Sequence, residues 1–265
     1  MTEDSITLNG LRLRYQVEGH GPDVLFIHGW ASSRRMWAQL SAGLAATYRC
    51  WAIDLPGFGD SDKPANDWYS IANYTALVAS FLRALGLSTA RVVGHSMGGM
   101  VALDFAAAHP EQLTHLVVIN PVVTGHRVRL RPFAHWGPSL RVLGLTHRLS
   151  LPVLQPVLAH SLSRGWPQSL KPIVRRFGEF SRTTAHAMWH SGRAIIQHDL
   201  TPRLARITAP ALVLISTLDL MVANREGRLA AERIPGARLV VLHAGHMATD
   251  DRPAEVLQQL QEFLV

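Results

Sequence analysis

Lysine is almost missing from this chain. Lys63 and Lys171 are the only two in 265 residues, so arginine supplies nearly all of the positive charge. Cysteine is scarcer. Cys50 stands alone, which excludes an internal disulfide, and its apolar, strand-like surroundings mark a core thiol rather than a nucleophile. No Cys/His spacing matches a zinc site. No apolar run reaches the ~18 residues that span a bilayer. The N-terminal Met1-Thr2-Glu3-Asp4-Ser5 is polar and acidic, with neither a basic n-region nor an apolar h-region, so a cytoplasmic location is expected. Acidic residues are missing from one segment in particular. Residues 124–198 hold eleven Lys/Arg and a single Glu, a charge of +10, whereas the remainder holds 15 basic and 18 acidic residues. A coding bias would account for arginine in place of lysine. It would not account for the loss of acids from one segment.

What is present is a chain long enough for one large domain with an insertion, and 48% hydrophobic, enough for a sizeable core. Residues 5–17 alternate around Asn9-Gly10, a strong hairpin signal. Val24-Leu25-Phe26-Ile27 is continuously apolar, as in a strand buried on both faces of a parallel sheet. A helix is predicted over Met36–Ala46, a strand over Tyr48–Ile53, and a turn-dense loop from Asp54 to Asp62. Residues 70–86 have helical spacing and stop at Gly86. Strands are predicted again at Leu116–Asn120, Ala211–Ile215 and Arg238–Leu242, and an amphipathic helix closes the chain from Pro253. Alternating strands and helices imply an α/β fold with a mainly parallel sheet. Between Thr124 and His198 the rhythm changes to short helical patterns punctuated by proline. The expected organisation is a core of residues 1–123 and 199–265 with a helical cap insertion at 124–198.

The stretch Val92 to Met100 carries the chemistry. An apolar β-branched run meets Gly94-His95-Ser96-Met97-Gly98, and a helix-compatible stretch follows. G-x-S-x-G in a strand–turn–helix context is a nucleophile elbow. The serine occupies a strained turn, and a side chain two positions to either side would collide with the neighbouring helix and strand, so glycine stands at both. The turn also leaves the Met97 N–H free at a helix N-terminus, facing any anionic intermediate.

His28-Gly29-Trp30, Asp54-Leu55-Pro56-Gly57-Phe58-Gly59-Asp60-Ser61-Asp62, Gly94 to Gly99, Leu218-Asp219 and Gly245-His246-Met247, in this order and at this spacing, resemble the α/β-hydrolase superfamily over nearly the whole chain. The resemblance implies an eight-stranded, mainly parallel sheet flanked by helices. It also implies a triad in the order Ser, acid, His. His246, after the last strand, fits the base; His243 and His95 fit poorly. Asp219, 27 residues before it, fits the acid, although relatives often carry a glycine shortly before the acid, where this chain reads Ser216-Thr217-Leu218. Some relatives place the acid after the strand that follows the elbow helix, but Asn120 stands there and is not a carboxylate. Asp250 and Asp251 read as caps of the closing helix. By resemblance, the Trp30 N–H joins that of Met97 in an oxyanion hole.

Serine at position 96 excludes dehalogenases and epoxide hydrolases, which use aspartate there. Trp30, His95, Trp136, Trp166 and Trp189 are candidates to line the substrate pocket, with core packing the alternative for Trp30. No metal or organic cofactor is implied. The superfamily also holds thioesterases, carbon–carbon hydrolases and hormone receptors, so the fold does not choose the reaction. The leading expectation is hydrolysis of a small carboxylic ester, thioester or lactone through an acyl-enzyme. The alternatives are a carbon–carbon hydrolase with the same triad and a slow-turnover receptor. Arg127, Arg129, Arg131, Arg141, Arg175 and Arg176 suit an acyl group carried on an acidic protein, as in the pimeloyl-ester esterases that this arrangement resembles. No nucleic-acid motif is present and no membrane partner is expected.

Overall fold

The computed structural model describes residues 1–127, 176 and 178–265, with the backbone alone at Arg127. Trp136, Trp166, Phe177 and the arginines at 129, 131, 141 and 175 lie outside the described residues.

Asn9 and Gly10 both take positive φ (51° and 79°), the geometry that a two-residue hairpin turn requires. They join β1 (Thr2–Leu8) to β2 (Leu11–Glu18), with Leu8 paired to Leu11. β2 also pairs antiparallel with β4 (Arg49–Ile53). From there the sheet is parallel through β3 (Asp23–Ile27), β5 (Ala90–His95), β6 (Leu113–Ile119), β7 (Ala211–Ser216) and β8 (Arg238–Leu242). The order is β1-β2-β4-β3-β5-β6-β7-β8, an eight-stranded and mostly parallel sheet.

The continuous apolar runs are explained by burial on both faces. On β3, Leu25 and Ile27 enter one core cluster while Val24 and Phe26 enter the other. The first face is covered by α2 (Ile71–Ala84) and α3 (Met97–Ala108), and the second by α1 (Ala38–Leu44) and the closing helix. The predicted helix from Met36 divides into a single 3-10 turn, Arg34–Trp37, followed by α1. Further along the chain, α4 (Ala185–Gln197) starts after Thr184, whose hydroxyl caps the Ala187 N–H at 3.1 Å. Then come α5 (Asn224–Arg233), the single turn α6 (Ala248–Asp251) and α7 (Pro253–Phe263). Among the described residues, no helix is long and apolar enough to cross a membrane.

The chain leaves and re-enters the core side by side. Thr124 and Asp199 form a single antiparallel bridge, and the Leu200 N–H donates to the Val123 carbonyl at 3.0 Å. The fully buried Glu226 fixes this junction by accepting from the Thr124 N–H at 2.6 Å and the Thr124 hydroxyl at 2.8 Å. Cys50 is buried in β4, and burial pushes its thiol up to about 12, so it remains protonated and inert.

Candidate active site

Every residue singled out by the motif order lies beyond the carboxyl end of a parallel strand, where open α/β sheets collect their ligands. Ser96 follows β5 with φ 55° and ψ −115°, a conformation costly for a residue with a side chain. The flanking glycines explain how the turn closes. A Cβ on Gly94 would press into the Gly98 carbonyl at the start of α3, and a Cβ on Gly98 would press into the Ile27 and His28 carbonyls. Ser96 is held through its own main chain. Its N–H donates to Ile119 at 3.0 Å, and its carbonyl accepts from Met100 at 3.0 Å.

Asp219 lies in the turn after β7 and is 8% exposed. Its Oδ1 accepts the Met221 and Val222 N–H groups at 2.8 and 2.9 Å, and its Oδ2 faces His246 Nδ1 at 2.7 Å. Burial pushes this carboxyl up, but the hydrogen bonds from His246, Val222 and Met221 outweigh burial and hold it below the ordinary aspartate value. Asp219 is therefore ionised at neutral pH, and the proton between the two residues belongs to His246 Nδ1. That leaves a lone pair on His246 Nε2, and the Ser96 hydroxyl donates to it at 3.1 Å. The missing glycine before Asp219 has a simple explanation. No residue from Ser216 to Asp219 takes a positive φ, so this turn does not need one.

The other acids and histidines are engaged elsewhere. Asp251 Oδ2 accepts the Gly245 N–H at 2.8 Å, and Asp250 pairs with Arg176 at 3.1 Å. His243 faces the Thr217 hydroxyl at 3.1 Å.

The turn after β3 brings the Trp30 amide beside the elbow. Neither the Trp30 nor the Met97 N–H donates to a main-chain carbonyl among the described residues. A Cβ on Gly29 would lie 2.8 Å from His95 Nδ1 and 3.2 Å from Ser96 Cβ, so only glycine lets the turn approach so closely. The sequence reading gave no role to His28, although it opens the same motif. His28 is fully buried, and burial pushes its pKa down, so the ring is neutral. Its Nε2 accepts the Leu55 N–H at 2.9 Å, so the proton is on Nδ1, which donates to the Gly29 carbonyl at 2.7 Å. That bond fixes the peptide unit whose nitrogen belongs to Trp30.

A cavity of about 220 Å³ opens over Ser96 and His246. Its walls are mostly apolar, with Trp30, Val122, Met188, Trp189, Ile195 and Met221 among them. Trp30 and Trp189 thus line the cavity, and His95 borders it. The Trp30 ring is fixed to α4, with its Nε1–H donating to the Ser191 hydroxyl at 2.9 Å. The sequence reading missed the aliphatic lining, because Met188, Ile195 and Met221 carry no motif. It also missed Glu179, a buried carboxylate at the wall that accepts from the Ser32 and Ser33 hydroxyls at 3.0 and 3.1 Å. Arg176, expected in a cationic surface field, has a 40% exposed side chain, borders the cavity and is paired to Asp250. Among the described residues, no group of three or more His, Cys, Asp or Glu is arranged to hold a metal ion.

A family model described as the alpha/beta hydrolase fold matches residues 22–253. The pimeloyl-acyl-carrier-protein methyl ester esterase of Aeromonas hydrophila is 25% identical over 93% of this chain and 96% of its own length. The enol-lactonase of Burkholderia xenovorans LB400 superposes with a TM-score of 0.80 at 25% identity, covering 98% of this chain and 99% of that one. Est816, described as an N-acyl homoserine lactone degrading enzyme, superposes with a TM-score of 0.80 at 26% identity, covering 98% of this chain and 100% of that one.

Proposed function

Because the chain belongs to the alpha/beta hydrolase family, we propose that it is a serine hydrolase cleaving carboxylic esters, or the related lactones and thioesters, through an acyl-enzyme. The family and its esterase and lactonase relatives support hydrolysis. The observation that carries the finer reading is the chain of contacts from Asp219 Oδ2 through the His246 ring to the Ser96 hydroxyl, at 2.7 and 3.1 Å, at the floor of an apolar cavity.

In this reading Ser96 Oγ attacks the substrate carbonyl while its proton passes to His246 Nε2. Asp219 keeps the second proton on Nδ1 and stabilises the imidazolium. The Trp30 and Met97 amides donate to the oxyanion, each worth on the order of 3 kcal/mol in the transition state. His246 then returns the proton to the departing alcohol, and water repeats the sequence to free the acid. The cavity walls suit an apolar acyl group of short to medium length.

Residues 124–198 form, in this reading, an insertion over the core made of 1–123 and 199–265. An acidic carrier protein is the partner that its +10 charge would attract, and the Aeromonas relative, named for a carrier-bound ester, supports it. A panel of p-nitrophenyl esters of increasing chain length, with a lactone and a thioester, tests the reading. Turnover that disappears in Ser96→Ala supports it. Ligand binding without turnover, or labelling by a fluorophosphonate at a residue other than Ser96, overturns it.

A further inference from the structure

The His246 imidazole is oriented by Asp219, but the main chain that carries it is irregular, lying between β8 and α6. The carbonyl of His246 itself accepts two side-chain donors. His95 Nε2 lies 2.8 Å from it, and Asn120 Nδ2 lies 2.9 Å from it. The same Asn120 nitrogen also donates to the Ser216 hydroxyl at 2.9 Å. His95 ends β5 and immediately precedes Ser96, Asn120 follows β6, and Ser216 ends β7, three residues before Asp219. The ends of β5 and β6 therefore meet the loop that bears the histidine at one oxygen atom, and the end of β7, which leads to the aspartate, is tied to the same Asn120 nitrogen through Ser216.

Resting on the serine-hydrolase reading, we infer that His95 and Asn120 are positioning residues, which hold the His246 carbonyl so that its ring stays in line between Asp219 and Ser96.

The chemistry of each donor supports this. A carbonyl oxygen only accepts, so the amide of Asn120 must present its nitrogen, and His95 must carry its proton on Nε2. His95 Nδ1 is buried and has no hydrogen-bond partner among the described residues. A buried acceptor without a donor is a cost that leucine or phenylalanine would avoid. The bond from Nε2 is what offsets it. Burial, with the neighbouring His246 adding to it, pushes the His95 pKa down to about 3. The ring therefore stays neutral while His246 cycles between its charged and uncharged forms, and the clamp does not titrate with the base it holds. Asn120 is held at φ 46°, where asparagine and aspartate are tolerated and most other side chains are strained. Its backbone conformation and its side-chain donor are thus supplied by one residue type.

Among the described residues, His246 is hydrogen-bonded through side chains by Asp219, Ser96, His95 and Asn120, and the His95 ring packs against it. A shift of the ring by about 1 Å commonly costs on the order of 10²-fold in rate. His95→Leu should lower kcat on p-nitrophenyl butyrate about 10²-fold with KM within about twofold. His95→Gln, whose amide nitrogen reaches as far as Nε2, should recover most of that loss. Asn120→Asp, assayed near pH ~8 where an aspartate is ionised, turns a donor into an acceptor and should also lower kcat while retaining the fold.

A second measurement does not depend on turnover. The proton on His246 Nδ1, bonded to buried Asp219, should give a far-downfield proton resonance in the wild type. It should remain sharp in His95→Gln and broaden or vanish in His95→Leu and Asn120→Asp. If His95→Leu fails to fold by circular dichroism, Asn120→Asp carries the test. A sharp resonance and near-normal kcat in both variants overturn the clamp while leaving the triad standing. A wild type that is inert on every ester and unlabelled by fluorophosphonate overturns the hydrolase reading instead, and the resonance then decides the clamp by itself.

Discussion

Ser96 and His246 lie 3.1 Å apart and are held by opposite means. The serine is fixed by backbone sterics. Its turn is closed by two glycines whose missing Cβ atoms leave no room for alternatives, and β5 and α3 lock it from either side. The histidine lies in irregular chain, and its place is set by Asp219, Asn120 and His95, each from a different strand end. A position enforced by backbone contacts fails through loss of the fold. A position enforced by side-chain hydrogen bonds fails through loss of alignment while the fold survives. Mutations on the two sides should therefore separate activity from stability.

The largest effect is expected at the reacting atom. Ser96→Ala should lower ester turnover by about 10⁴–10⁶-fold and abolish fluorophosphonate labelling, with the melting temperature little changed. Retention of most activity would remove Ser96 from the mechanism. Asp219→Asn comes next, with a loss of about 10⁴-fold, because an amide neither enforces the Nδ1 tautomer nor stabilises the imidazolium. Its fold should persist. If Asp219→Asn turned over normally while Asp250→Asn or Asp251→Asn collapsed, the acid role would pass to one of those residues.

The backbone side is probed by a single methyl group. Gly98→Ala would drive a Cβ into the Ile27 and His28 carbonyls, so a destabilisation of about 2–3 kcal/mol is expected, a fall of several degrees in thermal melting. Gly192→Ala on α4 is the contrast, since among the described residues its Cβ would meet only the Trp30 ring at 3.5 and 3.9 Å. Its melting temperature should be unchanged or slightly raised, as helix propensity favours alanine. Equal melting of the two variants would mean that the elbow is not sterically enforced.

The smallest effect concerns the arm that leads into α4, which side-chain hydrogen bonds tie to the core. Arg182 donates to Asp60 at 2.6 Å, and the Thr183 hydroxyl donates to the Gly57 carbonyl at 2.7 Å. Asp60 also accepts from Arg34 and Arg35. Burial pushes its carboxyl up, but the three arginines outweigh burial and hold it well below the usual range. A depressed carboxyl stabilises the fold above its unfolded value of about 4 and loses that stabilisation as pH falls through the lower folded value. Asp60→Asn should therefore lower stability by about 1 kcal/mol at neutral pH, and the gap to wild type should close under acid conditions. A gap independent of pH would mean that the ion pairs do not stabilise the arm.

How much was readable in the sequence follows the same division. The hairpin at Asn9-Gly10, the doubly buried strands and the elbow at Ser96 were all legible, because each is a local demand that a few adjacent residues must satisfy. The choice of Asp219 came from the order that the family resemblance implies, and the structure sets its carboxylate against His246 Nδ1. Its unusual lack of a preceding glycine became intelligible only once the turn was seen to avoid positive φ. His28 was passed over because its partners, Leu55 and Gly29, satisfy a ring whose tautomer is set by contacts 27 residues away and next door. The pairing of Arg176 with Asp250 was not legible, because nothing local announces a partner 74 residues on.

The sequence by itself determined the layered α/β architecture and the strained turn at Ser96, because periodicity and steric need act over a few residues, whereas the order of serine, aspartate and histidine came from the family resemblance. Only the tertiary structure decided which wall residues form the cavity and why His95 stands beside the nucleophile. It also decided what holds His246 in line, as its carbonyl meets donors 151 and 126 residues away. Hydrogen bonds of that kind depend on where strand ends converge, and convergence is a property of the packed sheet rather than of any stretch of chain.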